Sequence, residues 1–241
     1  MKIQSKATLD TILSHRSIRK FSEQPISEEI FQTLIHAGKV ASSSNHLQCV
    51  SVIRVTDKQI RETLREVSGM QYVVDCAEFL VFCIDFNKHK QLVPESQLEW
   101  AEVSIIGAVD TGIFAQNVLL AAESLGLGGV YIGALRNDIA RVSEALSLPE
   151  YCVPLVGMCL GYPAQDPDLK PRLPNTLVCH TNQYQPFDEA EFAKYNENLT
   201  AYYQARIGEP QNWQAAIHKT LDKPVRPHIL PFFNQKGLLK K

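Results

Sequence analysis

Neither charge is in excess along this chain, which removes the simplest signature of a nucleic-acid or anionic-membrane partner: 24 Lys and Arg stand against 26 Asp and Glu, a formal net charge of −2. There is no C-x-x-C pair among the cysteines Cys49, Cys76, Cys83, Cys152, Cys159 and Cys179, and the histidines are scattered. A structural zinc site needs close ligand pairs, so no metal is expected. Most of these cysteines sit in apolar runs such as FLVFCID and VPLVGMCLG and read as core thiols. The opening MKIQSKATLDTIL lacks the apolar core and small-residue cleavage site of a secretory signal, so a cytoplasmic location is expected. Walker A sequences, internal repeats and low-complexity tracts are also missing. The glycines of GLGGVYIG, Gly126 to Gly133, fail the dinucleotide fingerprint: the third glycine would fall at Tyr131, and the order is helix then strand rather than strand, turn, helix.

What is present is the composition of a soluble globular protein, with 45% hydrophobic and 21% charged residues over 241 positions. That length suits one domain, residues 1–241, with a core over about 1–163 and a loop, a helical excursion and a C-terminal arm over about 164–241. Apolar periodicity predicts helices near Leu9 and from Ser27 to Lys39, a strand from Cys49 to Val55, and a helix capped by Thr56 and Asp57. A buried strand from Phe79 to Asp85, a long helix ending at Leu125, a strand segment from Gly128 to Gly133, a helix from Asp138 to Leu146 and the strand VPLVGMCLG follow. Helices and strands alternate to Pro163, so the expected class is α+β or α/β with a mixed sheet. The run VSIIGAVDTGIFAQNVLLAA, Val103 to Ala122, has the length of a membrane span, but Asp110, Gln116 and Asn117 would be costly in lipid. A helix apolar on nearly every side is instead expected to be buried in the core or in a dimer interface, with Gly107, Ala108, Gly112 and Ala115 admitting another helix. Beyond Pro163 come a proline-punctuated loop, a polar helical tail from Asp188 to Arg206, and a segment from Trp213 to Lys241 that needs a surface to pack on, a partner subunit being one candidate.

Three polar stretches could carry chemistry. HRSIRKF, His15 to Phe21, gathers His15, Arg16 and Arg19 around Ser17, a donor set suited to a phosphate, although a solvated basic turn has the same composition. ASSSNHLQC, Ala41 to Cys49, offers Ser42, Ser43, Ser44 and Asn45 for capping a turn or for bonding a ligand's hydroxyls and ring edge. Lys170 and Arg172 lie in a loop stiffened by proline, a second pair of cations or a merely solubilising one. Gly133, without a Cβ, lets backbone approach a flat ligand and set an N–H against a ring nitrogen.

Taken together, HRSIRKF, the serine run ending in LQ, GxQ at Gly69 to Gln71, AAESLGLGGVYIG and DLKPRLP resemble the group A oxygen-insensitive nitroreductases and NADPH-flavin oxidoreductases, in the same order from about His15 to Tyr184. The resemblance implies a nitroreductase-like fold with a mixed, mainly antiparallel central sheet flanked by helices, an extended C-terminal arm and an intertwined homodimer that binds FMN at its interface. By the same resemblance, His15, Arg16, Ser17 and Arg19 hold phosphate and ribityl, and Ser43 and Gln71 contact the flavin. Tyr131, Ile132, Gly133 and Ala134 lie beside the isoalloxazine, and Lys170 and Arg172 form a second phosphate clamp. The family often has glycine where Ala134 stands. Asn45 and His46 fall near the nicotinamide and substrate pocket, His46 replacing an apolar or aromatic residue. Relatives carry several basic residues after the YY helix to pair with the NADPH 2′-phosphate; here YYQARIGEPQNW keeps Arg206 and offers Glu209 and Pro210, with Lys223 and Arg226 downstream. NADPH is therefore expected as the preferred donor, with NADH less strictly excluded. The implied reaction is ping-pong, two-electron hydride transfer to nitroaromatics, quinones or free flavin, with no protein acid or base. The alternatives are a flavin reductase supplying reduced FMN to a partner and a non-catalytic FMN-binding protein on the same fold.

Overall fold

A computed structural model describes residues 7–241. The chain forms two compact units, one comprising the described residues through Pro167 together with Arg226–Lys241, the other Asp168–Val225.

In the first unit the order is α1 (Thr8–Leu13), α2 (Glu28–Lys39), β1 (Val50–Arg54), α3 (Lys58–Ser68), α4 (Tyr72–Asp75), β2 (Glu78–Asp85), α5 (Asn87–Leu92), α6 (Ala101–Ser124), β3 (Gly128–Ile132), α7 (Ile139–Ala145) and β4 (Cys152–Gly161). The strands form one antiparallel sheet in the order β1-β2-β4-β3. An isolated parallel bridge, Ser17 to Gly129, adds a mixed element. Local signals set the helix ends. Ser27 accepts from the Ile30 amide and Asp57 from the Ile60 amide, each satisfying an orphan first-turn donor, while Gly69 stops α3 at φ 69°.

The run from Phe79 to Ile84 is apolar throughout because β2 is covered on both faces. Phe79, Val81 and Cys83 pack with Leu64, Val73, Ile132 and Val142 on one side. Leu80 and Phe82 pack with Phe31, Leu34, Val118 and Leu119 on the other. Between Phe82 and Cys83 the pairing with β4 slips, so that Phe82 faces Val156 and Cys83 faces Pro154. Proline has no amide to donate to the ladder, and the unpaired residue at this bulge is Leu155.

The long helix, expected to be buried in the core or in a dimer interface, is only partly covered within the chain. One face of α6 packs on the sheet, but Ile105, Val109 and Ile113, spaced by four, are 55%, 53% and 40% exposed. Close approach is also achieved elsewhere than expected. A Cβ at Gly107 would strike Ile84 of β2 and one at Gly38 of α2 would strike Phe114, whereas Gly112 faces open space. The arm divides as well. Its last helix in the chain, residues 229–235, buries Phe232 and Phe233, with Leu238 just beyond, against Cys49, Ile84, Phe86 and Val153 of the same unit.

The second unit holds α8 (Glu189–Ile207) and α9 (Trp213–Leu221), which precede α10 (Ile229–Gln235) of the first. Asp188 caps α8, and Phe192, Tyr195 and Leu199 make a small core with Leu173, Leu177, Tyr203 and Trp213. Of the six cysteines, the five in the first unit are buried core thiols and Cys179, in this unit, is exposed. Its run, NTLVCHTN, is too short and polar to enclose a side chain.

Candidate functional site

The basic segment lies along the free edge of β3. Ser17 bridges Gly129, and the Ile18 amide donates to the Gly129 carbonyl at 3.0 Å. Gly128 makes this approach feasible, since a Cβ there would lie 2.5 Å from Ile18 Cγ1. The cations are not free, as their chemistry alone suggested. His15 Nδ1 donates to Glu123 Oε1 at 2.6 Å, and Arg16 pairs with Asp166. Arg16 nevertheless retains a buried Nε with no partner. Burying an N–H unpaired costs about 1–3 kcal/mol, so a ligand oxygen is the natural complement. A cleft of about 310 Å³ opens here, lined among others by Ser14, Arg16, Glu123, Gly126 and Asp166. Arg19 is exposed, with Nη1 only at 3.5 Å from the Ser17 carbonyl.

Further along β3, Tyr131 donates from its hydroxyl to Gln116 Oε1 at 3.2 Å. Burial first, and the Glu123 carboxylate second, push its phenol well above the ordinary range, so it stays neutral. Glu123 thus links the two stretches, holding His15 on one side and biasing Tyr131 on the other. Ile132 is buried, and Gly133 and Ala134 open a 3-10 turn, Gly133–Asp138. Arg136 of that turn was not anticipated from the sequence. Its Nη1 donates to the carbonyl of Leu155 in the β4 bulge, and its Nη2 lies 3.3 Å from where a Gly133 Cβ would stand. The signal available was a cation three residues after the glycine that admits a flat ligand. Burial, and then the nearby Arg226 charge, lower its affinity for a proton. Arg226, at φ 50°, is held by two bonds to Asn137 Oδ1 at 3.0 and 2.9 Å, and His228 Nε2 lies 2.9 Å from the Arg136 carbonyl.

The serine run forms a loop after α2. Ser43 Oγ donates to Asp110 Oδ2 at 2.8 Å, and the Ser44 amide donates to the same carboxylate at 3.1 Å. Asn45 and His46 are exposed, and the Gln48 amide nitrogen Nε2 donates to His46 Nε2 at 3.1 Å. Gln71, exposed at the start of α4, donates to Asp75 at 3.0 Å. In the second unit, Lys170 Nζ stands 5.1 Å over the Tyr203 ring, and Lys170 and Arg172 line a cavity of about 470 Å³ with Tyr195, Trp213 and Asn212. Arg206 donates to the Tyr202 hydroxyl at 2.5 Å, and Lys223 is exposed beyond α9.

Chemically, the first unit offers a phosphate-sized donor set at the head of β3 and a neutral, glycine-opened strand end beyond it. That is the equipment of a site that positions a redox cofactor.

Residues 12–84 and 72–162 match the model of the nitroreductase family, and residues 170–241 match that family's C-terminal domain. The chain is 49% identical to the oxygen-insensitive NADPH nitroreductase of Salmonella typhimurium, over 95% of this chain and 97% of that protein. It superposes on nitroreductase A of Vibrio parahaemolyticus with a TM-score of 0.94 at 50% identity, covering 97% and 98% of the two chains. Against the NADPH:FMN oxidoreductase of Vibrio harveyi, in complex with NAD+, the TM-score is 0.92 at 51% identity, covering 97% and 99%. With its sequence matched almost end to end and its antiparallel sheet and helices in the same arrangement, the chain belongs to the nitroreductase family.

Proposed function

We propose that this chain is an FMN-dependent NAD(P)H oxidoreductase that reduces nitroaromatics, quinones or free flavin, working as a cytoplasmic homodimer. The observation that carries the reading is the packing of His15–Arg19 along β3, which leaves the Arg16 Nε buried and unpartnered beside a cleft. The donor set fits a mononucleotide phosphate: guanidiniums of Arg16 and Arg19, the His15 ring and the Ser17 hydroxyl. Asp166 and Glu123 keep these groups oriented and offset their charge until an anion arrives.

When bound, FMN supplies two-electron hydride acceptance and donation. The chain's own part is to bind, orient and polarise. Arg16, Ser17 and Arg19 bind the phosphate and ribityl, with Lys170 and Arg172 as further phosphate cations on the family resemblance alone. Gly133 and Ala134 present backbone N–H groups to a ring edge, next to a Tyr131 phenol kept neutral by burial. Ser43 and Gln71 remain candidate flavin contacts, and Asn45 and His46, exposed on their loop, face an incoming substrate. Arg226 stands close enough to Arg136 to add to burial in lowering the proton affinity of Arg136, a repulsion that an anionic group of the nicotinamide nucleotide would relieve. Arg206 and Lys223 are the other candidates for that group. The stripe Ile105, Val109 and Ile113 supports a second copy as the partner of α6, each half-exposed side chain contributing roughly 0.6–1.6 kcal/mol if its exposed part is covered.

Purified protein tests this directly. It should be yellow, bleach on anaerobic addition of NADPH and recover with nitrofurazone, and Arg19→Ala should retain less FMN. A colourless preparation that fails to take up added FMN would end the proposal.

A further inference from the structure

The loop Ser43–Gln48 is held in a conformation that its residues disfavour. Asn45, His46 and Gln48 have φ of 48°, 58° and 53°, and none is glycine. Backbone of this kind persists only where surrounding contacts over-determine it. Here the contacts converge on one group, the carboxylate of Asp110, which is 3% exposed in the middle of α6. It accepts from the Ser43 hydroxyl at 2.8 Å, from the Ser44 amide at 3.1 and 3.2 Å to its two oxygens, and from the Cys49 thiol at 3.5 Å. The Ser43 oxygen in turn accepts from the Gln48 amide at 2.7 Å. One buried charge therefore clasps both ends of the loop. From α5, His89 Nε2 lies 2.7 Å from the Leu47 carbonyl and steadies the middle.

The choice of residue is specific. An ionised carboxylate accepts from several donors and donates to none. Asparagine keeps a single acceptor oxygen: its N–H would face either the Ser44 amide, which only donates, or the Ser43 hydroxyl, which would have to stop donating to residue 110 and accept from it beside the Gln48 amide. The Cys49 thiol, pushed up to about 12 by burial and by the Asp110 charge, remains a donor at any working pH.

We propose that Asp110 is the positioning residue for the substrate-facing loop: through Ser43, Ser44 and Cys49 it sets where Asn45 and His46 stand, while itself touching neither substrate nor cofactor. The proposal rests on the oxidoreductase reading above. A merely structural Asp110 would alter stability and leave substrate preference alone.

The test is Asp110→Asn in the flavin-loaded enzyme, with hydrogen exchange of the peptide spanning residues 41–49 and steady-state kinetics with nitrofurazone. Losing charge-assisted bonds should quicken exchange at Ser44 and Gln48 about tenfold or more and raise the KM for nitrofurazone about tenfold, with kcat and flavin content within about twofold of wild type. Quickened exchange with an unchanged KM would overturn the proposal, and so would unchanged exchange. Should Asp110→Asn fail to fold, Asp110→Glu keeps the charge but displaces the carboxylate by one methylene from the Ser43 hydroxyl and the Ser44 amide. Faster exchange at Ser44 and Gln48 with a raised KM and normal flavin content supports the proposal, and wild-type exchange, or faster exchange with an unchanged KM, refutes it. A colourless wild-type protein would sink the functional reading and the proposal together, and is told apart because it is seen before any substitution is made.

Discussion

Alanine at position 128 would place a methyl group where β3 meets the basic segment. The new Cβ would lie 2.5 Å from Ile18 Cγ1, 2.9 Å from Ile18 Cβ and 3.1 Å from Pro163 Cγ. Carbon atoms are comfortable at roughly 3.5 Å and beyond, so the two chains must part by about 1 Å. Ile18 cannot simply swing away, being 6% exposed and tied by its amide to Gly129 at 3.0 Å. The segment carrying Arg16, Ser17 and Arg19 must therefore shift with it. Overpacking of this kind costs about 1–3 kcal/mol of stability, which for a chain of this size lowers Tm by roughly 2–12 °C. Displacing one charge-assisted phosphate contact costs about 1.5–3 kcal/mol more in binding, or roughly 10- to 150-fold in the FMN Kd. Flavin fluorescence titration beside thermal melts with and without FMN would measure both. Adding Ile18→Ala removes the Cγ1 clash and should restore part of each. A folded Gly128→Ala protein with wild-type FMN affinity would refute the idea that β3 sets the position of the phosphate donors.

Other consequences are open to measurement. Val109→Lys should convert a dimer to a monomer in light scattering after gel filtration, because it puts a charge in the centre of the exposed stripe of α6; unchanged mass would remove that face as the interface. Ellman's reagent should find one fast thiol in the native protein, Cys179, and a second reacting on the same timescale would contradict the burial of the other five. Arg226→Ala should raise the KM for NADPH by about tenfold or more and that for NADH less, and equal effects on both would argue against a phosphate contact. Cys49 supplies a pH dependence. Its pKa is raised on folding to about 12, so the fold favours the thiol; that stabilisation is complete below the unfolded value of about 8.5 and is lost as pH rises toward 12. Cys49→Ser should accordingly move the alkaline unfolding midpoint upward, and an unshifted midpoint would show that this thiol does not govern it.

Much of this protein is written in short stretches of its chain. Ser27 and Asp57 mark their helices, and FLVFCID announces a strand covered on both faces, because capping and apolar periodicity depend on neighbours a few residues apart. Two short helices, α4 and α5, escaped for the same reason, since four residues, and six mostly polar ones, show too little of a helical period. The donor chemistry of HRSIRKF was equally plain from residue type.

Tertiary structure alone decided which partners those donors have. Glu123 is 108 positions from His15 and Asp166 is 150 from Arg16, and no local pattern connects them. Asp110 looked like a polar break in an apolar helix, yet it anchors a loop some 61–67 positions away. Likewise the apolar stripe of α6 became visible only once the opposite face had docked on the sheet, and Arg136 mattered only once the β4 bulge gave it a carbonyl. Propensity is a property of neighbouring residues. Charge pairing and burial follow from distance in space, which exists only after the chain has folded.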